Sequence, residues 1–197
     1  PPFVEEYYLR LLKRIKNYGV KVNLHAIIRK DNLELWKKWL LNPPALFEYV
    51  NAIIFLNYKP IGKDGISLLS SDRSMIESFF RVVNECGAVR IGFDSCSISG
   101  IVQWMDVPDI LVDSCEAARF SAFISEDLKM YPCSFMINKG WCGDLRECSL
   151  IDIWQKNEYF HEFRDKYPSS HCSNCRFVGV CKGGCQLYES INFCRVG

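Results

Sequence analysis

Apolar residues recur at helical spacing in three segments of the first hundred residues. Apolar positions three and four residues apart predict helices over residues 1–18, which Gly19 would end, and over residues 71–86. Asp31 and Glu34 form a capping-box pair at the start of "LELWKKWLL", which predicts a third helix. Short apolar runs alternate with these helices and predict strands, at residues 20–28, 52–58 and 89–95. Strand, helix, strand, helix, strand is typical of a parallel α/β unit.

Each predicted strand keeps polar side chains on one face. These are Lys21, Asn23 and His25 on the first strand, Asn57 and Lys59 at the end of the second, and Arg90, Asp94 and Cys96 on the third. An open sheet covered on both faces would be apolar on both faces. The pattern favours the later strands of a partial (β/α) barrel whose lumen holds a polar ligand near the strands' carboxyl ends. A strand whose polar face is simply exposed to water is the plainer alternative.

The alternation of helices and strands stops after residue 96, and the character of the chain changes. Two β-rich runs around "SEDL" predict a hairpin over residues 120–133. Helical periodicity predicts one helix over residues 149–166, with Ser149 as its N-cap. Nine of the eleven cysteines lie in this second half. We therefore expect two domains, residues 1–105 and residues 106–197.

Composition narrows the class of protein. The chain has 197 residues, of which 49% are hydrophobic, and a formal net charge of +1. This balance offers no counterion-releasing surface for nucleic acid and no polybasic membrane patch, and no apolar run reaches the length of a membrane span. An odd number of cysteines in a chain with long periodic segments does not fit a secreted disulfide scaffold. We expect a cytoplasmic protein with metal-bound thiolates and no nucleic-acid or membrane partner.

The stretch "HCSNCRFVGVCKGGC", residues 171–185, holds four cysteines spaced C-x2-C-x5-C-x3-C. A C-x2-C turn directs two thiolates at one point, as tetrahedral metal sites and iron–sulfur sites require. Gly183 and Gly184 let backbone amides approach a bulky inorganic core and donate to sulfur. A thioredoxin-like redox pair would open a helix after a strand, whereas this pair follows Pro168 in a loop. Metal binding is favoured, and the spacing alone leaves zinc and iron–sulfur both open.

Seven cysteines follow one another in a specific order through the second half: Cys115, Cys133, Cys172, Cys175, Cys181, Cys185 and Cys194. This order resembles the SPASM domain, which stands at the C-terminal end of many radical S-adenosylmethionine (SAM) enzymes that modify peptides and proteins. The segments "MYPCSF", "SLIDIW" and "CKGGC" are similar as well. The first half looks like the later strands of a radical SAM partial barrel. Leu128 departs from the family, which usually has glycine five residues before its second cysteine.

The resemblance implies two interlocked auxiliary [4Fe–4S] clusters. The first would be held by Cys115, Cys133 and Cys185, and the second by Cys172, Cys175, Cys181 and Cys194. Much of the stability of this region would then come from metal. The fourth ligand of the first cluster varies in the family or is left open for substrate. The candidates here are Cys96, Cys142 and Cys148, each of which could equally be a plain buried thiol.

The resemblance also implies what the whole enzyme would do. It would cleave SAM to a 5′-deoxyadenosyl radical, abstract hydrogen from a peptide or protein, and use the auxiliary clusters to take an electron or hold a substrate group. A third [4Fe–4S] cluster would bind SAM through a C-x3-C-x2-C motif, and none of these 197 residues forms that motif. We therefore expect this chain to be the later part of a longer enzyme, inactive alone, with a flavodoxin or ferredoxin as its reductant.

Five further residues are candidates for the site. Asp94 and Cys96 end the third strand, where α/β barrels place their chemistry, although a structural strand end would look the same. Asn23, His25 and Asn57 are candidates for contacts to SAM from the lumen, although a lone histidine in a strand is more often a core residue. Two other classes stay open: a zinc-stabilised interaction module without redox activity, and a non-catalytic peptide-binding relative of such enzymes.

Overall fold

The computed structural model describes residues 2–61, 69–137, 139–140, 142–165 and 172–195, and it contains an α/β half and a cysteine-rich half. The helices and strands of the α/β half are α1 (Pro2–Asn17), β1 (Asn23–Ile28), α2 (Leu33–Leu41), β2 (Ala52–Asn57), α3 (Arg73–Glu85), β3 (Arg90–Phe93) and α4 (Ile98–Trp104). The three strands form one parallel sheet in the order β1-β2-β3. The predicted parallel α/β unit is confirmed.

This sheet has one covered face and one open face. On the covered face, the Phe55 ring of β2 packs edge-on between Trp36 of α2 and Phe79 of α3, at centroid distances of 5.3 and 5.2 Å. On the other face, His25 and Ile27 of β1 are exposed. Because side chains alternate along a strand and Phe55 is paired with Ala26, the buried residues Ala26 and Ile28 of β1 share the covered face with Phe55. Closure of the open face into a barrel lumen stays a prediction.

Two details of the α/β half differ from the sequence-based expectation. Asp31 does not cap α2, because its carboxylate pairs with Arg29 at 2.9 Å. Asn32 occupies the N-cap position without a side-chain cap bond, and its amide links Arg29 N–H to the Ile27 carbonyl, which closes the turn after β1. The helical rhythm also continues beyond residue 96, since α4 follows β3. The buried positions of α4 include the small residues Ser99 and Gly100, so the helix lacks the amphipathic stripe from which the sequence would predict a helix.

Short elements make up the cysteine-rich half. They are β4 (Phe123–Ile124), β5 (Lys129–Tyr131), β6 (Gly143–Asp144), α5 (Leu150–Lys156), α6 (Glu158–Asp165) and α7 (Val178–Cys181). The strands form an antiparallel sheet in the order β4-β5-β6. The predicted hairpin around "SEDL" is confirmed, and β6 adds a third strand to it.

The segment predicted as one helix over residues 149–166 contains two helices. Asn157 interrupts them with an extended backbone, at φ −68° and ψ 129°, and its side chain accepts the Tyr159 N–H at 3.0 Å at the start of α6. Ser149 is the N-cap of α5, as predicted, and accepts the Asp152 N–H at 3.1 Å. None of the helices among the described residues has the length and apolarity needed to cross a membrane.

Each half has its own apolar core, and the C-terminal segment connects the two. The first core lies between the parallel sheet and α2 and α3, and the second lies beneath the hairpin, around Met130 and Phe160. Phe193 belongs to the first core: its N–H donates to Ser99 Oγ at 2.9 Å, and its ring lies 6.0 Å from that of Phe80. The C-terminal residues therefore return to the α/β half. A domain boundary between residues 105 and 106 stays a prediction.

Candidate metal centre

Four thiols from distant parts of the chain meet where the two halves join. Cys96 lies in the 3₁₀ turn after β3, and Cys185 lies in the loop after α7. The Cys96 thiol donates a hydrogen bond to the Cys185 sulfur, which raises the pKa of Cys96 and lowers that of Cys185. Burial raises the pKa of both Cys115 and Cys133, and the nearby Cys96 thiol adds to this rise. We call these four residues the junction thiols.

Backbone amides donate to the sulfurs of the junction thiols. The donors are Ala117 to Cys115, Phe135 to Cys133, and Leu187 and Tyr188 to Cys185. The Tyr188 nitrogen lies 3.4 Å from Cys185 Sγ. Such donation stabilises the thiolate, which is the form of cysteine that binds metal, and hydrogen bonds to sulfur tune the potential of iron–sulfur clusters.

A second group of thiols surrounds Cys181 at the end of α7. Burial, followed by the neighbouring Cys194 and Cys172, raises the pKa of Cys181 to about 11. The amides of Gly183 and Gly184 donate to the Cys181 sulfur and oppose this rise. Cys175 donates its N–H to the Cys172 carbonyl at 3.0 Å, so the C-x2-C segment forms a turn, as its spacing predicts. The structure thus brings the C-x2-C turn and the C-terminal segment to the same sulfur.

A buried asparagine holds the loop between Cys181 and Cys185, the two cysteines of the "CKGGC" motif. Lys182, Gly183 and Gly184 have φ values of 54°, 86° and 70°, which turn the chain into Cys185. Asn192 Oδ1 accepts the Cys185 N–H at 2.8 Å, and Nδ2 donates to the Cys185 carbonyl at 3.2 Å. A Cβ on Gly184 would lie 2.2 Å from Asn192 Oδ1. Glycine is therefore required at position 184 by close packing as well as by its backbone conformation.

A buried ion pair adjoins the junction thiols at the carboxyl ends of β2 and β3. Lys59 Nζ lies 2.5 Å from Asp94 Oδ2, with side chains 9% and 17% exposed. Asp94 Oδ1 also accepts the Ser97 hydroxyl at 2.7 Å and the Asn57 backbone N–H at 3.2 Å. Burial lowers the pKa of Lys59, but Asp94 and then Cys96 raise it by more, so the net direction is upward. Lys59 therefore carries its positive charge beside the Cys96 sulfur.

The three residues predicted to contact SAM do not come together. Asn23 and His25 lie exposed on the open face of β1. Asn57 is only 4% exposed and lies in phase with Phe55, on the covered side of the sheet. Its Nδ2 donates to the Ile191 carbonyl at 3.0 Å, so it holds the C-terminal segment. Contacts of Asn23, His25 and Asn57 to SAM stay predictions.

Cys142 and Cys148, two candidates for the fourth ligand of the first cluster, share a cleft with each other. Both line one cleft of about 610 Å³ with Asp144 and Lys156. Cys148 interacts electrostatically with Lys156, and Cys142 interacts with Lys129. Cys96, the third candidate, does not line this cleft.

Neither thiol group has the geometry of a single-ion site. Among the residues that the structure describes, no three His, Cys, Asp or Glu side chains converge closely enough to hold one metal ion. None of the eleven cysteines, all of them described, forms a disulfide bond. A [4Fe–4S] cluster holds its four thiolates farther apart than a single metal ion does. Whether these thiols suit a cluster is therefore judged from the hydrogen-bond donors around their sulfurs.

Residues 115–176 match the family model of SPASM, described as an iron–sulfur cluster-binding domain. This region is a SPASM domain. The resemblance seen in the cysteine order is thereby confirmed. The match includes Cys115, Cys133 and the C-x2-C pair, while the last three cysteines of the motif follow it along the chain.

Three curated proteins are similar to part of the chain. It is 32% identical over 80 residues to the AdoMet-dependent heme synthase of Oleidesulfovibrio alaskensis and 31% identical over 79 residues to that of Nitratidesulfovibrio vulgaris. It is 32% identical over 73 residues to the mycofactocin maturase MftC of Mycolicibacterium smegmatis. These alignments cover 40%, 40% and 36% of this chain and 20%, 21% and 19% of the relatives. The aligned region thus spans about a fifth of each relative's length.

The donors around the sulfurs of the SPASM domain fit an iron–sulfur cluster. Amides donate to four of the sulfurs, as described above. Gln186, next to Cys185, is 7% exposed, and neither atom of its side-chain amide has a hydrogen-bond partner among the described residues. A buried amide without partners is costly. A sulfide-bearing cluster beside Cys185 would offer the Gln186 Nε2 an acceptor.

The SPASM hairpin keeps its turn despite leucine at the family's usual glycine position. Leu128 has φ of 59°, in the left-handed region that glycine favours, and donates its N–H to the Ser125 carbonyl at 3.0 Å. Its side chain is about half exposed. Leucine therefore adopts the glycine conformation, and the backbone at this position is strained.

Sequence reasoning missed Lys59 and Asn192 as parts of the site. Lys59 follows β2 by two residues, and an opposite charge at the matching end of β3, Asp94, was the available signal. Asn192 has no such signal, because its contacts to the "CKGGC" loop depend on how the C-terminal segment folds back.

Proposed function

We propose that this chain is the C-terminal part of a radical SAM enzyme in which two [4Fe–4S] clusters are bound by the SPASM cysteines. The first cluster would be held by Cys115, Cys133 and Cys185, and the second by Cys172, Cys175, Cys181 and Cys194. The observation that carries this proposal is that six of these sulfurs fall into two groups of neighbours, with amide donors at four of them. The seventh, Cys175, lies in the turn with Cys172. SAM, its own [4Fe–4S] cluster and the C-x3-C-x2-C motif would come from sequence beyond these residues.

The residues of this chain would bind the clusters and set the charge around them. When bound, the clusters supply an acceptor for an electron that leaves the substrate. The backbone amides of the SPASM domain would stabilise the thiolates, and Lys59 would place a buried positive charge beside the first group. Asp94, at the carboxyl end of β3, would hold Lys59 in place through its 2.5 Å contact.

The substrate class that we propose is a peptide or protein. The cysteine order resembles that of peptide-modifying enzymes, and one relative is named a mycofactocin maturase. A second candidate follows from the two relatives named heme synthases: the whole protein would act on a heme precursor. We further propose a cytoplasmic location, since none of the eleven described cysteines forms a disulfide bond. A flavodoxin or ferredoxin would be the reductant, as the resemblance implies.

Metal and sulfide analysis of the anaerobically reconstituted chain tests the proposal. Two [4Fe–4S] clusters give about eight irons and about eight acid-labile sulfides per chain, with brown absorbance near roughly 400 nm. A zinc-stabilised module would instead bind zinc, without sulfide or colour. Finding zinc, or neither iron nor sulfide, would overturn the proposal.

A matched pair of variants links the bound iron to the proposed ligands. Cys181→Ala should lose about half of the iron, which is one cluster of two. Cys86→Ala is the control, because Cys86 packs against the core of the α/β half and belongs to neither thiol group. Equal iron in the two variants would argue against the assigned ligands.

A further inference from the structure

The junction thiols include one cysteine that comes before the SPASM match along the chain. Cys96 precedes the matched residues 115–176 and belongs to the α/β half, in the 3₁₀ turn Ser95–Ser97 after β3. We propose that Cys96 is the fourth protein ligand of the cluster held by Cys115, Cys133 and Cys185, so that each of its four irons carries a thiolate. This inference rests on the proposed function, which leaves the fourth ligand open.

Direct contact supports Cys96. Its thiol donates a hydrogen bond to Cys185, which is a ligand in the proposed first cluster. Its electrostatic neighbours include Cys115 and Cys133, the other two ligands of the same cluster. All three are buried or half-buried. Four sulfurs from separate segments are thus neighbours of one another, and a fully ligated four-iron cluster needs four thiolates.

The backbone around Cys96 holds it against the SPASM domain. Asn57 Nδ2 donates to the Cys96 carbonyl at 3.3 Å and to the Ile191 carbonyl at 3.0 Å, so one buried amide joins the Cys96 turn to the C-terminal segment. Ser97, the next residue, is fully buried and donates to Asp94. The position of the Cys96 sulfur is therefore set by packing on both sides.

Charge around Cys96 also suits a bound thiolate. Lys59 Nζ donates to the Cys96 sulfur as well as to Asp94. The Lys59 side chain is 9% exposed, so solvent screens its charge only weakly. Its positive charge would partly offset the negative charge of a cluster bound by four thiolates. Cys142 and Cys148 also have lysine neighbours, but they line a cleft with Asp144 and Lys156, and neither is among the main causes of the pKa shifts of Cys96 and Cys185.

Full ligation has a consequence for the role of the first cluster. A cluster with four protein thiolates leaves no iron open for a substrate group. Of the two roles that the resemblance allows, electron acceptor and substrate holder, this ligation favours the electron acceptor. The ligation also ties the carboxyl end of β3 to the SPASM domain through metal.

Iron content and electron paramagnetic resonance of the reconstituted chain test Cys96. Cys96→Ala should drop from about eight irons to about seven or fewer, and mild oxidation should produce a three-iron cluster signal, because one iron loses its thiolate. Added imidazole should change the spectrum of the reduced Cys96→Ala variant and leave that of the wild type unchanged. Cys142→Ala and Cys148→Ala are matched controls and should behave as the wild type does.

Other outcomes separate this inference from the proposed function. Wild-type iron and an unchanged spectrum in Cys96→Ala, or the same loss in Cys142→Ala or Cys148→Ala, would overturn Cys96 as the ligand. Imidazole binding to the wild-type cluster would also overturn it, by revealing an open iron. If the wild type lacks sulfide, the proposed function itself fails. Cys96→Ser provides a second test in case the alanine variant misfolds, since the serine hydroxyl can still ligate iron. This variant should keep about eight irons with a shifted spectrum. An unshifted spectrum would count against Cys96 as the ligand.

Discussion

In the α/β half, the rings of Phe55, Phe79, Phe80 and Phe93 pack against one another at centroid distances between 5.2 and 6.4 Å. In the cysteine-rich half, by contrast, the strands are two or three residues long and the apolar core is smaller. Buried rings contribute stability without any ligand. Such short strands and loops rich in positive φ values do not, so we expect the second half to depend on what its thiols bind. The difference predicts a self-sufficient core in the first half and a metal-dependent one in the second.

Removing the metal is the strongest test of this comparison. Anaerobic chelation of iron should abolish amide protection in β4, β5, β6 and the 182–188 loop, while β1, β2 and β3 keep theirs. Structural metals contribute roughly 10–16 kcal/mol in zinc-finger peptides, more than this small core can replace. Hydrogen exchange read by mass spectrometry, before and after chelation, gives the result for each segment. Uniform loss across both halves would contradict the comparison.

Deleting one core ring tests the other half. Phe79→Ala should lower the free energy of unfolding of the α/β half by about 3–5 kcal/mol, because Phe79 is fully buried among other rings. Tyr18→Ala, at a ring in the same half that is 81% exposed, should change it by less than about 0.5 kcal/mol. Denaturant unfolding of the iron-loaded chain measures both. An equal loss in the two variants would show that ring packing does not set the stability of this half.

The "CKGGC" loop offers a sharper test within the metal-dependent half. Gly184→Ala places a Cβ 2.2 Å from Asn192 Oδ1 at a φ of +70°, so it should cost about 1–3 kcal/mol and lower the iron content. Gly179→Ala is the control, since a Cβ there meets nothing within 4 Å. Iron per chain after reconstitution and the denaturation midpoint check the pair. Normal iron binding by Gly184→Ala would show that the loop tolerates movement of Asn192.

Sequence patterns predicted these two halves unequally, for physical reasons. Periodicity indicated β1, β2, β3 and the hairpin, because regular elements that bury one face repeat their apolar positions. It missed α4, which buries the small residues Ser99 and Gly100 beside Ile98, and the break at Asn157, which is a local capping choice. For the site, cysteine order indicated seven thiols, whereas the face of Asn57 and the contacts of Asn192 depend on the returning C-terminal segment, which periodicity does not encode.

The smallest expected effect concerns backbone strain in the SPASM hairpin. Leu128→Gly should raise the free energy of unfolding of the iron-loaded chain by about 1 kcal/mol relative to Leu128→Ala, because only glycine adopts a φ of 59° without strain. Both variants remove the same half-exposed side chain beyond Cβ, so their difference isolates the backbone contribution. Thermal unfolding should shift by about 2–4 °C. In the iron-free chain the two variants should coincide, since a hairpin that is already unfolded has no strain to release. A gain from glycine that persists without iron would mean that the hairpin folds on its own apolar core.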